Sequence, residues 1–242
     1  EQEWEFRHSR IDYSQIRDYK KLTHSQKQFV HAMKFQSLGK ANMKDKTRLL
    51  NAKEQTMFRS ILGGLQWLTH SRSDHCAECS RLQTKRNSPT VEDLKDAHAL
   101  LRRCKDTAVD AILTFRKQDH SAKRLLVFPD ASLNSVRKKN KKGQEIEESR
   151  TQAGWVTLLT SDTETLDSEN AHVLNWASRK MTRVSKSTLA SEAIARVGAV
   201  EDAIRIAGWL EEIYGPATTT AQLIVKQERG GYGIPIDVAT DA

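Results

Sequence analysis

The sequence predicts an α/β (α+β) chain: a mixed sheet crossed by one long helix over residues 121–242, preceded by a mostly helical region over residues 1–120. Three observations carry that prediction. First, LLVF at 125–128 is a continuous apolar run, as expected of a strand buried on both faces. Second, QAGWVTLLT at 152–160 and HVLNWAS at 172–178 read as two more strands, and the polar loops between them favour antiparallel pairing. Third, a helical pattern runs from Ser187 to Tyr214 and leads into IPIDVATDA, a fourth strand. A strand reached through a crossover helix lies parallel to its partner.

Taken in order, residues 1–55 are polar, with short apolar islands such as Phe29, Val30, Met33 and Phe35. From Phe58, residues Ile61, Leu62, Leu65 and Leu68 recur at three- and four-residue steps, as on one face of a helix. Gly63 and Gly64 weaken that helix unless a neighbouring backbone packs closely there. A second helix is expected from Thr90 to about Lys105, because Glu92 and Asp93 fall in its first turn, where the helix dipole favours negative charge. In the longest helix Ser187 is the expected N-cap, Val197, Val200, Ile204 and Leu210 the apolar stripe, and Gly215-Pro216 the stop. The glycines at 230, 231 and 233 mark a flexible loop, and Trp155 and Trp176, inside strand patterns, are expected in the core.

With 242 residues the chain is long enough for one large domain or two small ones, and 38% hydrophobic with 29% charged residues describes a globular protein, not a disordered one. A net charge of +8 favours polyanionic partners. No apolar run approaches the roughly 18 residues that span a bilayer, so no membrane partner is expected. The opening EQEWEFRHSR has no apolar secretory core and does not start with Met, so missing parts are expected at both ends. Three cysteines make no disulfide framework and point to a reducing compartment, cytoplasmic or nuclear.

Two acidic residues fall where strands end, Asp130 in LVFPDAS and Asp241 in VATDA, and a third, Glu192, lies in the first turns of the long helix. Parallel strand ends and a crossing helix can bring three such carboxylates together. Hard oxygen ligands select Mg²⁺ or Mn²⁺, and two ions can hold the attacking and leaving oxygens of phosphodiester hydrolysis. Each residue also has an ordinary reading, as a turn former or as a partner of the helix dipole.

Two basic clusters flank these positions. Arg137, Lys138, Lys139, Lys141 and Lys142 fall in the loop between the first two strands, and Arg179, Lys180, Arg183 and Lys186 precede Glu192. They are either solvated charges or phosphate-tracking contacts. Cys76 and Cys79 form a CxxC beside His75, with His70 and Cys104 farther off; without a second tight ligand pair, zinc is not expected.

FRSILGGLQWLTHSRSD (58–74) resembles the YRS-x-x-G-x-L-x-[YW]-L-x-x-x-[ST]-R-x-D block that follows the palm in copia-type reverse transcriptases. SPTVEDLKDAHALLRRCKDT (88–107) is similar to the next block of that family. LLVFPDAS, QAGWVTLLT, VLNWASRK (173–180), KSTLASEAIA (186–195) and VATDA resemble, in order, the strand and helix motifs of the element's RNase H. The resemblance spans roughly residues 20–242. It implies the thumb/connection-like tail of a reverse transcriptase over 1–120, then an incomplete RNase H-like mixed sheet over 121–242. It also implies a hydrolase that cleaves the RNA of RNA–DNA hybrids, with Asp130, Glu192 and Asp241 as catalytic, metal-binding carboxylates for two Mg²⁺ or Mn²⁺ ions.

The chain departs from the family pattern in three ways. The family's fourth carboxylate is expected beyond Ala242, its polymerase Asp-Asp motif lies upstream of residue 1, and insertions at 135–150 and 216–235 lengthen the spacings. The expectation is therefore no polymerase activity and weak or lost hybrid cleavage. The alternative is a non-catalytic, nucleic-acid-binding or decayed remnant.

Overall fold

The structure is a computed structural model. It describes the chain except for residues 1–2, 17–19, 36–43, 118–122, 133–134, 140–144, 150, 162–165, 167–169, 182–184, 186, 216–218, 230 and 240–242; residues 3, 135–139 and 145–149 are described as backbone only. The architecture is mixed α and β, in two compact units, Glu1–Lys117 and Gln118–Ala242.

The first unit holds the expected helices and, beside them, a four-stranded sheet that was not expected. Strands β1 (Glu3–His8), β2 (Ile11–Ile16) and β3 (Lys21–Ser25) form an antiparallel meander, and β4 (Ile112–Arg116) closes it against β3. Its cross-strand contacts are aromatic: Phe6 stacks on Tyr13 at 4.9 Å, and Tyr13 meets His24 at 5.5 Å. These strands carry period-2 alternation of charged and aromatic residues, as in EWEFRH, and not the apolar runs of a buried sheet.

Between β3 and β4 the chain forms α1 (Lys27–Ala32), α2 (Ala52–Leu68), α3 (Cys76–Gln83) and α4 (Val91–Asp106). Capping boxes start two of them, Asn51 with Glu54 on α2 and Thr90 with Asp93 on α4. Arg48 donates to both oxygens of Glu54, at 2.9 and 3.0 Å, which holds this carboxyl below its usual range and fixes the α2 entry. The core joins Phe58, Leu62 and Leu65 of α2 to Leu82 of α3 and Leu94 and Leu101 of α4, all buried. Each such side chain contributes about 1.5–3 kcal/mol by leaving water. What packs at Gly64 is the Met33 side chain, not a backbone; a Cβ there would lie 2.3 Å from the Met33 methyl carbon, whereas Gly63 has nothing within 4 Å.

In the second unit, β5 (Arg124–Ser132), β8 (Gln152–Thr160) and β9 (Ala171–Lys180) pair antiparallel in sequence order. Helix α5 (Thr188–Tyr214) then crosses the sheet, with Ser187 as its N-cap, and β10 (Ile236–Val238) pairs parallel to β5. The sheet order is β10-β5-β8-β9. The buried face of α5 keeps Leu210 of the expected stripe and otherwise differs from it. Ala195, Ala199, Ala203 and Ile206 lie against Leu125, Val127 and Trp155, whereas Val197 is 59% exposed. Small residues let the helix approach the sheet closely, and Gly198 does the same beside the Trp155 ring. Trp155 is buried as expected; Trp176 is half-buried.

Both insertions carry structure. The first contains a hairpin, β6 (Ser135–Lys139) with β7 (Glu145–Ser149), and the second contains α6 (Thr220–Glu228), started by a Thr219–Gln222 capping box. The loop after α6, read from sequence as flexible, is tied to α5: the Gly233 N–H donates to Glu211 at 3.3 Å, and Tyr232 packs over Gly208. Among the described residues no helix is long and apolar enough to cross a membrane.

Candidate functional site

The carboxylates expected to converge are placed as follows. Asp130 is the seventh residue of β5, opposite Gly154 of β8, and exposed. Leu125, Val127 and Ala131 of the same strand face α5. Alternation therefore sends the Asp130 side chain to the other face of the sheet. Glu192 is the fifth residue of α5 and half-buried, on the side of the sheet that Asp130 turns away from. Its neighbour Ser191 is structural, donating its hydroxyl to the Ser187 carbonyl at 3.1 Å. Asp241 lies outside the described residues.

Among the described residues no three His, Cys, Asp or Glu side chains come together as a metal site. Asp130 and Glu192 alone do not make a site for two Mg²⁺ or Mn²⁺ ions, so the described residues support no two-ion mechanism.

Of the basic positions, Arg179 and Lys180 end β9, opposite Ala153 and Gln152, and both are exposed. Arg179 lies over the Trp155 ring, 5.0 Å from its centroid. Arg137, Lys138 and Lys139, expected in a loop, are instead on β6, opposite Glu147, Ile146 and Glu145; the insertion is long enough for a hairpin of its own. Lys141, Lys142, Arg183 and Lys186 lie outside the described residues. Beside Arg179 and Lys180, a groove of about 490 Å³ opens between the end of the sheet and α5, floored by Trp155, Met181, Ile194 and Val197.

Sequence reasoning missed one residue here. Asp202, 5% exposed in the middle of α5, accepts from the Trp155 indole N–H at 3.0 Å and from the Asn175 amide at 3.3 Å. Arg205 bridges its other oxygen, and Arg179 stands 3.9 Å away. A charged residue bracketed by Ala199, Ala203 and Ile206 was the available signal, since buried charge demands partners. The network ties β8, β9 and α5 together and orients the face of Trp155 beneath Arg179.

The CxxC has different surroundings from those of a zinc site. Burial pushes the Cys79 and Cys104 thiols up to about 11, so both hold their protons. Buried Arg72 occupies the space beside them, donating to Asp74 at 2.8 Å, to the Cys104 carbonyl at 3.3 Å and to the Thr107 hydroxyl at 2.7 Å. Arg72 also lies 2.6 Å from His75 Nε2, and burial holds that imidazole below its ordinary value. No family model, curated protein or solved structure matches the chain.

Proposed function

We propose that the second unit is an RNase H-like domain from a copia-type retroelement polyprotein, that the first unit is the thumb/connection-like tail of its reverse transcriptase, and that RNA–DNA hybrid cleavage is weak or lost in this chain. The strand order supports the ancestry. Three antiparallel strands, a long crossover helix and a fourth strand parallel to β5 give the order β10-β5-β8-β9, as the resemblance implies. Counted along the sequence, Asp241 stands three residues past Val238 as Asp130 stands three past its register partner Val127.

The position of Asp130 supports low activity. It turns away from α5, which carries Glu192, and hydrolysis by paired ions needs the carboxylates within reach of common metals. The exposed Arg179 and Lys180, on a chain of net charge +8, favour a protein that still holds a polyanionic hybrid through its phosphates.

Binding of a labelled RNA–DNA hybrid across a salt series tests this reading. The expected outcome is affinity that falls steeply with salt and drops further in Arg179→Ala/Lys180→Ala. Equal, salt-insensitive binding of both proteins, or no binding at all by a folded chain, would remove the nucleic-acid role.

A further inference from the structure

The β1–β2 hairpin turns through two residues, Ser9 and Arg10, between the paired His8 and Ile11. Both have positive φ, +50° and +64°. Such turns ordinarily use Asn and Gly, because a Cβ is strained in the left-handed region. Strained residues persist where their surroundings hold them, and they cluster at binding sites. Replacing Arg10 by glycine would relax the turn, so some other contribution keeps an arginine here.

Arg10 lies over Phe29, 5.4 Å from the ring centroid. Both line a groove of about 740 Å³ between the turn, α1 and α2, within the usual range for small-molecule sites. Its walls divide by chemistry. Arg7, Arg10 and Lys34 are its cations, Phe29, Met33 and Ile61 its apolar surface, and no carboxylate lines it. Arg7 is committed to Asp12, at 3.3 Å, and to Gln28, at 3.1 Å. Among the described residues no acid stands within ion-pairing distance of Arg10 or Lys34. Gly64 completes the apolar side by letting the Met33 side chain lie against α2.

We propose that this groove binds a small organic phosphate bearing an apolar or aromatic group, with the phosphate on Arg10 and Lys34 and the apolar part on Phe29, Met33 and Ile61. A guanidinium fork suits phosphate oxygens, and a second cation favours a dianion over a carboxylate. The strained turn then reflects a trade of stability for function, with the left-handed backbone at Arg10 placing the guanidinium at the rim.

The test is calorimetric titration of the full chain with phenyl phosphate, inorganic phosphate and phenol, alongside thermal melts. Phenyl phosphate is expected to bind saturably at one site, and each of the other two at least about tenfold more weakly. Arg10→Gly fits the positive φ, so its unliganded melting temperature should equal or exceed that of the parent while affinity for phenyl phosphate falls about tenfold or more. Lys34→Gln should weaken binding similarly. The proposal is overturned if phenyl phosphate shows no saturable binding, if Arg10→Gly binds as the parent does, or if its melting temperature falls. It is also overturned if a single-stranded oligonucleotide, and not the small phosphate, is the ligand whose binding depends on Arg10.

Discussion

The Trp155 indole N–H donates to the Asp202 carboxylate at 3.0 Å inside the interface of β8 and α5. Both residues are 5% exposed. Asp202→Ala leaves the indole and the Asn175 amide without their acceptor, and an orphaned buried donor costs about 1–3 kcal/mol. Denaturant unfolding should show a loss of that order. Trp155→Phe, which takes a donor from the buried carboxylate and leaves a cavity, should destabilise as well. Equal stability of Asp202→Ala and parent would show the network to be incidental.

Glycine-to-alanine substitutions should change sign with position along the helices. Gly63 has open space around its missing Cβ, so Gly63→Ala should stabilise by about 0.5–1 kcal/mol through helix propensity. At Gly198 a Cβ would sit 3.3 Å from the Trp155 ring, which Asp202 holds in place. Gly198→Ala should therefore destabilise, by about 1–3 kcal/mol, as overpacked cores do. Thermal melts of the two variants measure both signs at once.

Stability should fall in two steps on acidification. Burial holds the imidazoles of His24, His75, His98 and His172 below the ordinary value of 6.5. Above that value folded and unfolded chains are both neutral at these sites. Below it the unfolded chain takes up protons that the folded one resists, so stability declines as pH falls from about 6.5. Asp74, held down by its hydrogen bonds from Arg72, adds the second step. Its contribution is present above the ordinary aspartate value of 3.8 and is lost as pH falls through its lower folded value. A melting temperature that rises between pH 7 and about 5.5 would contradict the histidine assignment.

The thiols should react unequally. Cys79 and Cys104 are buried, with burial pushing both up to about 11, whereas Cys76 is half-buried at the start of α3. Titration with a disulfide reagent near pH 8 should label one thiol in the folded chain and all three in denaturant. Stoichiometric zinc in purified protein, or rapid labelling of all three, would contradict this packing.

Helices α4 and α5 were legible because their ends carry chemistry: Thr90 with Asp93 in the first turn, Ser187, and Gly215 closing α5 through its N–H to the Glu211 carbonyl at 2.8 Å; α1 and α6, short and polar, were not. Strands β5, β8 and β9 were legible as apolar or alternating runs between polar loops. Strands β1 to β3 were not. Their alternation mixes charges with aromatics, and Ser9-Arg10 carries none of the Asn-Gly chemistry that marks a two-residue hairpin. The face of α5 was only partly read: Leu210 is buried, but Val197 stays exposed while alanines make the close contact with the sheet. Asp130 was correctly found on a strand, but its face depends on register with β8, and pairing partners cannot be read from one strand alone.

Incubation of an end-labelled RNA–DNA hybrid with the full chain in Mg²⁺ or Mn²⁺, beside Asp130→Asn, tests the central claim most directly. The expected result is slow or undetectable cutting of the RNA strand, with any residual cutting lost in Asp130→Asn. Rapid cleavage of the RNA strand, or cleavage that Asp130→Asn leaves intact, would contradict it.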